Sequence, residues 1–184
     1  MGEGAQMKKI LIVIDMQNDF IDGALGTPEA VAIVGNVKAK IRSYPADCIR
    51  ATMDTHGPDY LQTQEGKFLP VEHCIRGSKG WELREDIAAL LDGAIIYEKP
   101  TFGSTAMAED LKAISQQEEI EIELCGLCTD ICVVSNALLL KAMMPEVKIT
   151  VDAACCAGVT PESHAAALQT MKMCQIDVRG EETD

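Results

Sequence analysis

Six short apolar runs, each ended by a polar or glycine-containing turn, recur along the chain with helical patterns between them. The first, residues 9–14 (KILIVI), carries no polar side chain after its opening lysine, as expected of a strand buried on both faces. Residues 48–53, 94–97, 120–125, 147–151 and 175–178 read as strands too, the last least clearly. Apolar residues fall at helical spacing over 30–43, 82–91, 106–114, 130–143 and 161–173. Ser104/Thr105 caps the third of these and Thr129 the fourth. Thr160-Pro161 opens the fifth with a hydroxyl cap and a proline at the first helical position. Six strands alternating with five helices predict an α/β fold, a parallel sheet of about six strands covered by helices on both faces.

The length, 184 residues, suits one domain, and we assign it to residues 7–184. Residues 1–6 read as a short disordered leader. With a net charge of -13 and scattered Lys and Arg, the chain offers no basic surface for nucleic acid. No apolar run approaches the roughly 20 residues that span a bilayer, and nothing resembles an export signal, so a cytoplasmic protein without membrane contact is expected. Eight cysteines in a reducing compartment are then mainly small core residues, with room for one reactive thiol.

Ligands of open parallel sheets bind beyond the carboxyl ends of the strands. Asp15 stands after the first run, Asp54-Thr55-His56 after the second, Glu98-Lys99 after the third, and Gly126-Leu127-Cys128-Thr129-Asp130-Ile131-Cys132 after the fourth. With Thr129 as cap, Cys132 falls in the first helical turn, where backbone N–H groups and the dipole favour a thiolate and could hold an oxyanion. A nearby lysine would lower its pKa further. The plainer reading of Cys132 is a buried small residue, and Asp15 could equally cap the turn that follows it. Lys99 beyond a buried strand is harder to dismiss, because a buried lysine needs an anion. Together the three make a triad: Asp15 takes the thiol proton and later returns it, and Lys99 steadies both anions. Cys125 and Cys128 form a CxxC pair with no second pair at zinc-ribbon spacing, and we read it as incidental.

Residues 55–80 lack a strong period and are long for a connection, which marks them as functional. Asp54 and His56, two apart, project to one face of an extended segment, and His73 follows across the loop. A carboxylate with two imidazoles is a divalent-metal set, although either histidine could be an ordinary surface residue. His164, inside the last helix, reads as structural.

The Asp15-Met16-Gln17-Asn18-Asp19-Phe20 stretch, Lys99, and the segment from Gly126 to Val133 resemble, in order, the three signature segments of the isochorismatase-like cysteine hydrolases. The resemblance runs from about Lys8 to Val178. It implies a Rossmann-like three-layer sandwich, a non-proline cis peptide at Leu127-Cys128, and an oxyanion hole from the backbone of Cys128 and Cys132. Asp54, His56 and His73 resemble the metal ligands of the nicotinamidase branch, which converts nicotinamide to nicotinate and ammonia. Glu65 lies where some members supply another carboxylate. Zinc is the metal implied first, with iron or manganese also suited. True isochorismatases lack the cysteine.

The chain departs from that branch at Leu69 and Pro70, where an aromatic residue usually precedes the last histidine, and at Ile131, where another is common. Phe20, Phe68 and Phe102 lie beside signature segments and, with Ile131, are candidates for a flat-ring pocket; they could equally be core residues. The resemblance thus implies a hydrolase of a small carboxamide, working through a thioester and self-associating into a homo-oligomer. The alternatives are hydrolysis of another small amide, such as an N-carbamoyl compound, or a non-catalytic binding or redox member.

Overall fold

The computed structural model describes residues 7–181; the leader assigned to 1–6 lies outside the described residues. Six strands form one parallel sheet in the order β3-β2-β1-β4-β5-β6. They are β1 (Lys8–Ile14), β2 (Ile49–Asp54), β3 (Ile95–Lys99), β4 (Ile120–Leu127), β5 (Lys148–Ala157) and β6 (Asp177–Arg179). The helices are α1 (Asn18–Ile21), α2 (Pro28–Ala32), α3 (Val34–Arg42), α4 (Gln64–Phe68), α5 (Glu85–Ala88), α6 (Thr105–Ser115), α7 (Val134–Met143) and α8 (Pro161–Met173). A wide π turn, Thr129–Val133, precedes α7.

The alternation of side chains along β1 splits the core into two layers. Ile10, Ile12 and Ile14 pack with Met107 and Leu111 of α6, Ala137 and Leu140 of α7, and Leu168 and Met171 of α8. Leu11 and Val13 face the other way, onto Val34, Val37 and Ile41 of α3 and Ile87 of α5. Helices therefore cover both faces of the sheet, which makes the expected three-layer α/β sandwich. The chain winds outward from β1 to β3, then returns to place β4 on the other side of β1. In open parallel sheets such a reversal marks where ligands bind, beyond the carboxyl ends of the strands on either side of it, here β1 and β4. Gly126 permits the close approach there: a Cβ at its φ of +120° would lie 2.1 Å from the Ile14 carbonyl oxygen.

Three sequence expectations change in detail. The helix expected over 30–43 is divided at Ile33 into α2 and α3. That expected over 82–91 shrinks to α5, because residues 82–84 are spent on pairing with 16–18. Asn18 N–H donates to the Glu82 carbonyl and Arg84 N–H to that of Met16, both at 3.0 Å. Thr129 is not the cap of the fourth helix. Cys128 holds that position without a side-chain cap bond, and Thr129 is the first residue of the π turn. The Thr160 cap forms as expected, reciprocated by Ser163 in a capping box. No described helix is long and apolar enough to cross a membrane.

Candidate active site

Parallel register brings the strand ends together. Ile14 pairs with both Thr52 and Gly126, and Asp54 pairs with Lys99. Asp15, the residue after β1, is fully buried in a left-handed backbone conformation, φ 48°. Such a conformation is uncommon for a residue with a side chain and concentrates at functional sites. Lys99, the last residue of β3, reaches across the end of β2 and is 1% exposed. Its Nζ lies 2.7 Å from Asp15 Oδ2, 3.3 Å from Cys132 Sγ and 3.6 Å from Asp54 Oδ1. It also donates to the Thr101 carbonyl at 3.1 Å. The structure thus gathers Asp15, Lys99 and Cys132 around one ammonium group, with Cys128 four residues before Cys132 at the start of the turn.

The electrostatics run against one expectation. Burial pushes the Cys132 thiol well above its ordinary range, and the Asp15 carboxylate adds to this against the opposing Lys99 charge. This shift opposes the lowering expected from its helix position. Burial also raises the Asp15 carboxyl, against the pull of Lys99. Burial works against the Lys99 ammonium, but the charges of Asp15, Cys132 and Asp54 outweigh it and keep the lysine protonated. A carboxyl raised in this way is a stronger base, and so better matched to a thiol proton. Burial drives Cys125 well up and Cys128 to about 12. All eight cysteines are free.

Several buried polar side chains that the sequence reading passed over hold these groups. Thr52 donates its hydroxyl to Asp15 Oδ1 at 2.6 Å. Gln17 donates to the Asp54 carbonyl at 2.8 Å and accepts the Asp54 N–H at 2.8 Å, which clamps the β1 and β2 ends together. Asn136 donates to the Cys132 carbonyl at 2.8 Å and accepts the Ser104 N–H at 2.9 Å. The signal available in sequence was a polar residue among apolar ones, without any indication of its partners.

The long connection after β2 folds back on itself. His56 bridges to Ile75: its N–H donates to the Cys74 carbonyl, and its own carbonyl accepts from Arg76, both at 2.9 Å. Asp19 Oδ2 accepts the Cys74 N–H at 2.8 Å. His73 is thereby pinned beside His56, their ring centroids 4.9 Å apart. Asp54, His56, Glu65 and His73 each offer one donor atom, all within 4.8 Å of one another. His73 Nδ1 lies 2.8 Å from the Val71 carbonyl; donating there leaves Nε2 free to face the cluster. Mixed imidazole and carboxylate donors at such separations can hold a divalent metal.

Tyr60 is buried against this set, with its ring centroid 4.7 Å from His56 and 5.0 Å from His73. Its hydroxyl donates to the Leu69 carbonyl at 2.9 Å. Gly66 makes room for the fold: a Cβ there would meet the Tyr60 carbonyl oxygen at 2.0 Å.

The four pocket candidates separate. Phe20 is 7% exposed, its ring 5.6 Å from His73, whereas Phe68 is 92% exposed. Phe102 is partly exposed, and its carbonyl accepts from Asn136. Ile131 packs against the first core layer.

The isochorismatase domain model matches residues 9–182. The chain belongs to the isochorismatase family. An uncharacterized isochorismatase family protein of Bacillus subtilis, PncA, is 32% identical over 88% of this chain and 93% of its own length. The crystal structure of nicotinamidase/pyrazinamidase PncA from that organism superposes with a TM-score of 0.79 at 30% identity, covering 94% of this chain and 99% of the other. Pyrazinamidase of Pyrococcus horikoshii, solved in complex with zinc, gives a TM-score of 0.75 at 28% identity over 95% and 99% of the two chains.

Proposed function

We propose that this member of the family is a cysteine-dependent amidohydrolase that converts nicotinamide to nicotinate and ammonia. The observation that carries the reading is the Lys99 ammonium, 2.7 Å from the Asp15 carboxylate and 3.3 Å from the Cys132 sulfur. Three strand ends meet there in a site buried from water, which suits proton transfer between an acid and a nucleophile. Nicotinamidase and pyrazinamidase are the names carried by the two solved relatives, and both are named for small ring carboxamides.

In this reading Asp15 accepts the Cys132 proton as sulfur attacks the amide carbon. The carbonyl oxygen takes up the negative charge and is held by the backbone amides of Cys128 and Cys132. Asp15 then protonates the departing nitrogen; the C–N bond breaks, ammonia leaves and a thioester remains. Water attacks the thioester with Asp15 as base, releases the acid and returns the proton to sulfur. Lys99 stays protonated throughout and offsets the charge on each anion in turn.

Asp54, His56, His73 and Glu65 would hold one divalent ion per chain, and zinc is our choice because their imidazole and carboxylate donors suit it. When bound, the ion would supply a Lewis acid to help hold and orient the substrate. Phe20, beside His73, is the best placed of the pocket candidates to stack on the ring.

The test is ammonia release from nicotinamide and a panel of other amides, with and without added zinc. Turnover of nicotinamide above the rest supports the proposal. Preference for an N-carbamoyl compound would move it to the alternative amidase, and release from no amide would leave a binding or redox member.

A further inference from the structure

Among the three histidines, His164 stands outside the metal cluster, yet it is tied to the turn that carries the nucleophile. It is half-buried in the first turn of α8, with Nδ1 2.7 Å from the hydroxyl of Thr129. Thr129 is fully buried and directly follows Cys128. Burial lowers the imidazole's pKa, so the neutral ring can accept the hydroxyl proton at Nδ1.

A second tie runs in parallel. The Val159 N–H donates to the Asp130 carboxylate, at 3.1 and 3.2 Å to its two oxygens. The first two residues of the π turn are thus fastened, Thr129 to α8 and Asp130 to the connection that precedes it. Inside the turn, the N–H groups of Ile131 and Val133 both donate to the Cys128 carbonyl, at 3.1 and 3.0 Å. Displacing Thr129 would therefore carry the neighbouring Cys128 and the whole turn with it.

The anchor itself is well held. Thr160 and Ser163 cap α8 reciprocally, and the His164 N–H donates to the Thr160 carbonyl at 3.0 Å. Gly158 packs so tightly that a Cβ on it would lie 2.9 Å from the His164 Cβ. Asn136 grips the far end of the turn through the Cys132 carbonyl. His164 grips the near end.

We propose that His164 is a positioning residue for the nucleophile turn: through Thr129 it fixes where the Cys128 amide and Cys132 stand relative to Asp15 and Lys99. This rests on the amidohydrolase reading and adds to it a residue that touches no substrate. A misplacement of about 1 Å at a reacting centre can cost on the order of 100-fold in rate. A loosened turn that remains closed by its own bonds should cost less, about tenfold.

The experiment uses His164→Ala, His164→Asn, Thr129→Val and the Thr129→Val/His164→Ala double variant of the zinc-loaded full chain. It records kcat and KM for nicotinamide, together with amide hydrogen exchange over Cys128–Val133. The Ala and Val variants should each lose about tenfold in kcat with KM within about twofold, and the double variant should be no worse than either single one. His164→Asn, which can place its Oδ1 near the position of Nδ1, should hold kcat within about threefold of wild type. Exchange across the turn should quicken in the Ala and Val variants and stay near wild type in Asn. Additive losses, an Asn variant as poor as Ala, or unchanged exchange in His164→Ala would overturn the proposal. If wild type releases no ammonia from any amide, the amidohydrolase reading fails on its own, and exchange still reports whether His164 holds the turn. Should the Ala variant fail to fold, Thr129→Val and His164→Asn decide the question.

Discussion

Asp15, Lys99 and Cys132 sit at or just beyond the carboxyl ends of β1, β3 and β4, whereas Glu65 and His73 hang on the irregular excursion between β2 and β3. In the first group Asp15 and Lys99 are spaced by ladder register, and Cys132 by the turn that follows β4. Moving Asp15 relative to Lys99 would require a strand to slip, which would turn its apolar side chains to the wrong face. The second group is spaced by a handful of contacts: the His56–Ile75 bridge, the Asp19 bond to Cys74, and the Tyr60 ring. Each such hydrogen bond is worth about 1 kcal/mol net. Bond-making groups thus stand on the part of the molecule hardest to deform, and substrate-holding groups on a part that can vary without disturbing the sheet. Changes at the strand ends should therefore act on kcat, and changes in the excursion on KM and metal content.

The largest effect expected is that of Cys132→Ala, which should lower ammonia release by at least about 1000-fold while the protein melts within a few degrees of wild type. Residual activity near wild type would place the nucleophile elsewhere and break the comparison at its centre. Lys99→Met should cost about 100-fold in kcat, since the cation that balances both anions is gone. It should also destabilise the fold by about 3–5 kcal/mol, because Asp15 and Asp54 would then lie buried without their cation. Urea unfolding beside steady-state kinetics measures both. A Lys99→Met enzyme of normal rate and stability would reduce the lysine to a bystander.

In the excursion the effects should be smaller and of another kind. Chelation, or His56→Ala, should take metal content from one ion per chain to none and raise KM for nicotinamide by about tenfold, with kcat less affected. Elemental analysis with kinetics on the same samples checks it. Loss in kcat with KM unchanged would show that the two regions do not divide the work. Tyr60→Leu keeps all four donors but removes the ring packed on both imidazoles, and should weaken metal binding by about tenfold, read by competition with a chelating dye.

Much of this frame is legible in the sequence because burial on both faces leaves a plain mark: residues 9–14 contain only apolar side chains after Lys9, and they form the strand they predict. The start of α8 is equally plain, since Thr160 and Pro161 are local signals that need no partner. The strand-to-helix alternation carries the layer order and the edge where Asp15, Lys99 and the Cys128–Cys132 turn collect. What the sequence conceals is non-local. Residues 82–84 have helical spacing but pair with 16–18, and nothing in their own pattern reveals it. Thr129 looks like a cap, yet its hydroxyl serves a histidine 35 positions away. The upward push on the Cys132 thiol is hidden for a related reason: a helix start is visible in sequence, whereas the depth of burial and the carboxylate pressed beside it are not.

The smallest effect expected is at Phe68, and it sharpens the comparison from the outside. Sequence placed Phe68 with Phe20 as a candidate for the ring pocket, but Phe68 ends α4 with its side chain 92% exposed, while Phe20 is 7% exposed beside His73. A ring in water contributes little to holding a substrate, so Phe68→Ser should change KM by less than about twofold. Phe20→Ala, which opens the wall next to the metal cluster, should raise KM several-fold. Both measurements should be made at two protein concentrations tenfold apart. A phenylalanine covered by a second copy of the chain would gain about 1.5–3 kcal/mol of burial, which would make KM depend on enzyme concentration in wild type and remove that dependence in Phe68→Ser. A concentration-independent KM in both, with the variant within twofold, leaves Phe68 as a surface residue and confines substrate holding to the Phe20 side of the excursion. A large rise in KM for Phe68→Ser at every concentration would instead mean that α4 closes over the site, and the excursion would then have to be counted as a moving part.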